Sequence, residues 1–208
     1  MLGTGERRSG RELDRVVNFS DGVFAIVITL LVLDIRVPHI PEGLVSEELP
    51  SRISALSPKF LSYVISFLVI AIYWQAHHRV FRPIRSYDRT LLWLNFLFLM
   101  AISFLPFPTS LLGEYSGEQL SVVIYASNAA IASLLLTSIS WYATAGHRLV
   151  PPDLDDEAER ERRMQGLAVP VVFLLSIGIS FLSPTAAMYS WLLLSVTDPL
   201  IRRVRSRQ

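Results

Sequence analysis

Apolar residues run from Val23 to Leu33, interrupted only by Thr29, and five further stretches of the same character follow. The apolar segments lie at about 19–36, 59–78, 90–112, 118–145, 165–183 and 185–201. A helix needs roughly 20 residues, with a usual range of about 17–25, to cross the hydrocarbon core of a bilayer. The lengths therefore predict six transmembrane helices. No stretch alternates apolar and polar residues with a period of two, which argues against a β-barrel. Breakers fall between the segments: Pro38 and Pro41, Pro50 and Pro58, Pro106 and Pro108, Pro151 and Pro152, and Ser183-Pro184. The last pair predicts a tight hairpin between the fifth and sixth helices.

Composition agrees with the pattern. Charged residues make up 18% of the 208-residue chain and hydrophobic residues 51%, against about 25% charged in a soluble domain. The chain reads as an all-α integral membrane protein. Cysteine is absent, which excludes disulfides, thiolate metal sites and cysteine nucleophiles.

Charge gives an orientation. Sixteen of the 19 basic residues lie in the N-terminal segment (Arg7, Arg8, Arg11, Arg15), the second connection (Arg79, Arg82, Arg85, Arg89), the fourth (Arg148, Arg160, Arg162, Arg163) and the C-terminus (Arg202, Arg203, Arg205, Arg207). The other connections hold Arg36, Arg52 and Lys59. The positive-inside rule then places both termini in the cytoplasm. Residues 1–14 read as a cytosolic tail, 15–203 as one six-helix membrane domain, and 204–208 as a basic C-terminal tail. No second domain and no internal repeat are apparent.

The first helix carries an acid near each end, Asp21 and Asp34. A carboxylate inside a membrane costs about 2.5–3.5 kcal/mol on insertion scales unless paired or hydrated. In "RVVNFSD", Asp21 has Arg15 and Ser20 nearby and reads as a helix-start cap or as a partner of Arg15. Farther along, Ile26, Leu30 and Leu33 share a face at spacings of four and three, with Phe19 and Gly22 extending it and Thr29 at its flank. Facing lipid or the protein's own core, this is an ordinary stripe. Repeated around a symmetry axis, it makes stacked aliphatic rings, which gate a pore by dewetting.

Elsewhere, Trp74, His77 and His78 fall within one turn near the end of the second helix, a composition suited to the membrane interface. Adjacent histidines on a helix point apart, which disfavours a metal site and favours hydrogen bonds to other helices. Asn95, inside the third segment, needs a polar partner across a helix interface. No HExxH, GxSxG, phosphate-binding glycine loop or "TVGYG" filter occurs. Neither an enzyme nor a cofactor protein is indicated, and no nucleic-acid partner is expected. Intramembrane acids are too few for an ordinary proton-coupled transporter.

"RVVNFSD", followed in order by "YWQAHHRVF" and "LLWLNFLFLMAISFLPFPT", resembles the transmembrane protein 175 family of potassium channels, whose signature is RxxxFSD. The resemblance covers roughly residues 15 to 110. It implies a six-helix subunit in a homotetramer, with a central pore lined by the first helix, no re-entrant filter loop and a preference for K⁺. Matched by position, Ile26, Leu30 and Leu33 would form the constriction. Thr29 would stand at the hydroxyl position associated with ion preference. Arg15, Phe19, Ser20 and Asp21 belong to the signature, and Trp74, His77 and Asn95 would complete a hydrogen-bonded cluster with it. The expected partners are further copies of the chain, K⁺ ions and the lipid bilayer of a cell membrane, by expectation a bacterial plasma membrane. No cofactor and no resident metal are implied. A secondary transporter of a small cation or solute and a non-conducting scaffold are the alternatives.

Overall fold

A computed structural model describes residues 3–155, 157, 160, 164 and 166–191, with side chains from residue 12 onward. The last part of the sixth expected helix and the 204–208 tail lie outside the described residues. Every regular element among the described residues is helical. Helix α1 spans Gly3–Leu30 and tightens into a 3₁₀ turn at Leu31–Asp34; α2 spans Val45–Ser54, α3 Ser57–Phe81 and α4 Arg89–Phe104. They are followed by α5 Pro106–Glu114, α6 Gln119–Thr144 and α7 Ala168–Ser180.

Among the described residues, four stretches are long and apolar enough to cross a membrane: Glu12–Asp34, Ser57–Phe81, Arg89–Glu114 and Gln119–His147. Helix α7 is a shorter apolar helix of 13 residues, and residues 184–191 are again helical after a turn at 181–183. The third of these stretches is two helices, because Pro106 cannot donate to the ladder of α4 and restarts the chain as the first residue of α5.

Local chemistry accounts for the boundaries. Pro58 occupies the first turn of α3, where its missing N–H costs nothing. Asp88 caps α4, accepting a 2.8 Å hydrogen bond from the Leu91 N–H. Gly146 takes φ 62° just past α6, and the Leu149 N–H returns to the Ala143 carbonyl at 3.0 Å, a glycine-dependent C-terminal closure. Helix α1 begins much earlier than the apolar run. Residues 3–14, expected as a tail, continue the same helix, and Asp21 therefore lies in its interior and caps nothing.

Packing rather than a hydrophobic driving force must hold membrane helices together, because lipid is as apolar as their side chains. Helix α6 is central. Ala126, Ala129, Ala130 and Ala132 are buried along it, and their small side chains admit α4 and α7 to close contact. Asn128 Nδ2 donates to the Ala101 carbonyl of α4 at 3.0 Å. Helices α3 and α5 approach so closely at Gly113 that a Cβ there would stand 2.8 Å from Ser62 Oγ. Inside the bundle, Thr109 Oγ1 donates to Ser66 Oγ at 2.7 Å, and Ser66 Oγ donates to the Tyr125 hydroxyl at 3.1 Å. At the end away from the arginine-rich connections, Lys59 pairs with Glu114 at 2.7 Å.

Candidate functional site

Helix α1 meets the rest of the chain along one row. Ser20, Phe24, Val27 and Leu31, at spacings of four, three and four, are all buried. Residues two places away from a row lie about half a turn round an α-helix. That rule puts Asn18, Gly22, Ile26 and Thr29 on the opposite side; these four and Leu33, in the 3₁₀ turn, are all exposed. Ile26 is 60% and Leu33 67% accessible, and Leu30, flanking them, is exposed as well. The residues expected at a constriction thus occupy a surface that the chain itself does not cover. Thr29 Oγ1 donates to the Ile26 carbonyl at 2.7 Å. Its hydrogen is used within the helix, so the hydroxyl turns only lone pairs outward, the electrostatics a cation requires.

Nearer the arginine-rich end, a buried chain of hydrogen bonds ties α1 to α3 and α4. Ser20 Oγ donates to the Val16 carbonyl at 2.9 Å and accepts from Asn95 Nδ2 at 3.0 Å. Asn95 Oδ1 faces His77 Nε2 at 3.0 Å. An amide oxygen only accepts, so His77 carries its proton on Nε2, while its buried Nδ1 has no hydrogen-bond partner. The imidazole is sandwiched between Phe81, centroid 4.2 Å away, and Phe98, 5.7 Å away and inclined by only 9°. The edge of Phe24 closes a third side at 5.9 Å. Ser20, His77 and Asn95 are fully buried. A polar network this enclosed is stable only because nearly every member is satisfied.

A second, half-exposed cluster stands beside it. Trp74 Nε1 donates to Asp21 Oδ1 at 2.9 Å. His78, one turn on from Trp74, packs against its ring at 4.5 Å, tilted by 57°, and places Nε2 3.6 Å from the same oxygen. His77 and His78 accordingly point to different neighbours. The indole is the partner of Asp21. Arg15, the sequence's candidate for that position, is exposed and makes no ion pair or hydrogen bond among the described residues. Phe19 stays on the exposed side, edge-on to Phe96 at 6.1 Å.

Beyond the span, Asp88 joins the cap of α4 to the end of α6. Partial burial pushes its carboxyl upward. Hydrogen bonds from the Leu91 N–H, the Tyr142 hydroxyl and the Thr90 N–H, with the Arg148 charge, outweigh this and hold it below the ordinary carboxylate value. The Arg148 guanidinium lies 4.6 Å over the Tyr142 ring.

Sequence reasoning missed His78 as a neighbour of Asp21, the phenylalanines enclosing His77, and the Ser66–Thr109–Tyr125 chain. The recurrence of Ser62 and Ser66 one turn apart in an apolar helix was the available signal for the last of these.

The fold and the site define a multi-pass helical membrane protein with a buried polar tie on its first span. The sequence model of the family described as endosomal/lysosomal potassium channel TMEM175 matches residues 15–106. A potassium channel of Streptomyces collinus is 38% identical over 178 residues, which cover 83% of this chain and 84% of that one. One of Chamaesiphon minutus is 35% identical, over 83% and 86% of the two chains. The crystal structure of a lysosomal potassium-selective channel TMEM175 homolog from Chamaesiphon minutus superposes with a TM-score of 0.79 at 30% identity, covering 91% of this chain and 97% of that one. The chain belongs to the TMEM175 family.

Proposed function

We propose that the chain is a potassium channel that conducts K⁺ passively, in preference to Na⁺, as a homotetramer with α1 of each subunit lining a central pore. One observation carries the pore assignment: α1 buries Ser20, Phe24, Val27 and Leu31 against its own chain and leaves Ile26, Thr29, Leu30 and Leu33 uncovered. Relatives named as potassium channels, at 38% and 35% identity over most of both chains, support the ion. Six spans with both termini in a bacterial cytoplasm complete the reading.

Four-fold repetition turns the uncovered row into rings of branched aliphatic side chains. A neck so lined is poorly wetted, and an ion must shed water to pass it. K⁺ holds its hydration shell less tightly than Na⁺ and pays less. Thr29, with its lone pairs facing outward, offers oxygen at the same depth. The buried Ser20–Asn95–His77 chain and the Asp21–Trp74 bond set the height and rotation of α1, and with them the position of the rings.

The test is flux from liposomes holding the purified full chain. K⁺ should run down its gradient with a diffusion potential and no coupled ion, and faster than Na⁺. Ile26→Asn should raise conductance and reduce the K⁺ preference. Saturable coupled flux would replace the channel with a transporter, absence of flux would leave a scaffold, and unchanged currents in Ile26→Asn would remove the constriction from α1. A monomer in detergent would exclude the shared pore.

A further inference from the structure

We infer that Asn18 faces the pore below the neck, where four copies of its carboxamide form an uncharged polar ring that receives K⁺ on the cytoplasmic side. The inference rests on the tetrameric pore proposed above and extends it to a position that the RxxxFSD signature leaves unspecified.

The geometry is that of the neck residues themselves. Ile26 and Thr29 face away from the subunit because each lies two places from a buried residue of the first helix. Asn18 stands in the same relation to Ser20, and is exposed. It is also eleven residues from Thr29, about three full helical turns, so the two polar side chains are nearly in line along the helix. At about 1.5 Å per residue, Asn18 lies about 12 Å below Ile26 along the helix axis.

Its environment fits the task. Ser20 and Asp21, two and three residues on, are committed to Asn95 and Trp74. Asn18 makes no hydrogen bond among the described residues, so its carbonyl oxygen and amide hydrogens remain for water and ions. Between Asn18 and Ile26 the outward position is Gly22, and a Cβ placed there would meet nothing within 4 Å. Gly22 thus leaves the wall open on the line from the carboxamide to the neck, while the exposed Phe19 lies to one side of it, edge-on to Phe96. Arg15, lower on the same side, carries a full positive charge, and Asp14 is exposed beside it with the opposite one. Among the described side chains, going toward the neck, Asn18 is the first outward one that offers an oxygen without a net charge. A ring of amide carbonyls at this level lets an ion exchange part of its water before the apolar rings require it to lose more.

The natural absence of cysteine makes the test direct. Asn18→Cys and Gly22→Cys would each be recorded in planar bilayers with a cationic methanethiosulfonate applied from the cytoplasmic side. Both should lose most of their K⁺ current as the thiol is modified, whereas the parent chain is unaffected. Asn18→Asp should raise K⁺ conductance and Asn18→Lys lower it, and Asn18→Gln should stay close to the parent. Loss of current in Gly22→Cys alone would overturn the inference and leave the pore standing. Currents insensitive to the reagent at both positions would remove α1 from the pore and the proposed function with it.

Discussion

Asn95 Nδ2 lies 3.0 Å from Ser20 Oγ and donates to it, joining α4 to α1 across 75 positions of sequence. The same carboxamide receives the Nε2 proton of His77. One side chain thereby holds three helices in register, and it can do so because an amide both donates and accepts.

Asn95→Leu should destabilise the chain by about 1–3 kcal/mol, because it strands the buried His77 Nε2–H as well as removing a bond. Thermal unfolding of the detergent-solubilised protein would show the loss as a lowered midpoint. Asn95→Gln, which keeps the groups but displaces them, should fall between. An unchanged midpoint in Asn95→Leu would mean that the network contributes no stability.

Thr29→Val keeps the shape of the side chain and removes its oxygen. If that oxygen assists K⁺, its loss should cost an interaction of about 0.5–1.5 kcal/mol, which is roughly a two- to tenfold fall in the K⁺/Na⁺ permeability ratio. Reversal potentials under bi-ionic conditions measure it. Thr29→Ser, which retains the hydroxyl, should keep most of the preference.

Asp88 supplies a pH dependence whose sign follows from its environment. Its carboxyl is held below the ordinary value of 3.8 in the fold. The stabilisation is therefore complete above the unfolded value and is lost as pH falls through the lower folded one. Asp88→Ala removes the cap of α4 and should cost about 0.5–2 kcal/mol at neutral pH. Its midpoint should start to approach that of the parent as pH falls below the ordinary value of 3.8 and converge with it only below the lower folded value, and a difference independent of pH would contradict this account.

Gly113→Val should force α5 away from α3, since even a Cβ meets Ser62 Oγ at 2.8 Å and the Lys59 backbone at 3.2 Å. Overpacking of this kind costs about 1–3 kcal/mol. Ser62→Ala removes the nearest atom but not the backbone contact, so it should recover only part of the lost midpoint.

Helix type and the breaks between segments were legible along the chain because apolar runs and prolines act locally. The first boundary was not. Residues 3–14 are polar, and nothing in hydropathy distinguishes a solvated helix from a tail. Nor was α2 apparent, because Val45–Ser54 mixes Glu48, Pro50 and Arg52 with Val45, Leu49 and Ile53 at helical spacing. The candidate site was half legible. Side chains needing partners announce themselves as polar residues in apolar surroundings, as Ser20, His77 and Asn95 do. Which partner each takes depends on helix rotation. Arg15 was near Asp21 in sequence, yet Trp74, 53 positions away, is its neighbour in space.

The 3₁₀ turn at Leu31–Asp34 separates two settings of the uncovered row. Three residues per turn eclipse positions three apart, so Leu33 stands above Leu30, whereas α winding would carry it about 60° aside. The azimuth of Ile26 changes only when α1 as a whole turns. That of Leu33 is also set by the winding of four residues, and rewinding that short segment would swing the outermost side chain of the row aside while the residues beneath it stayed in place.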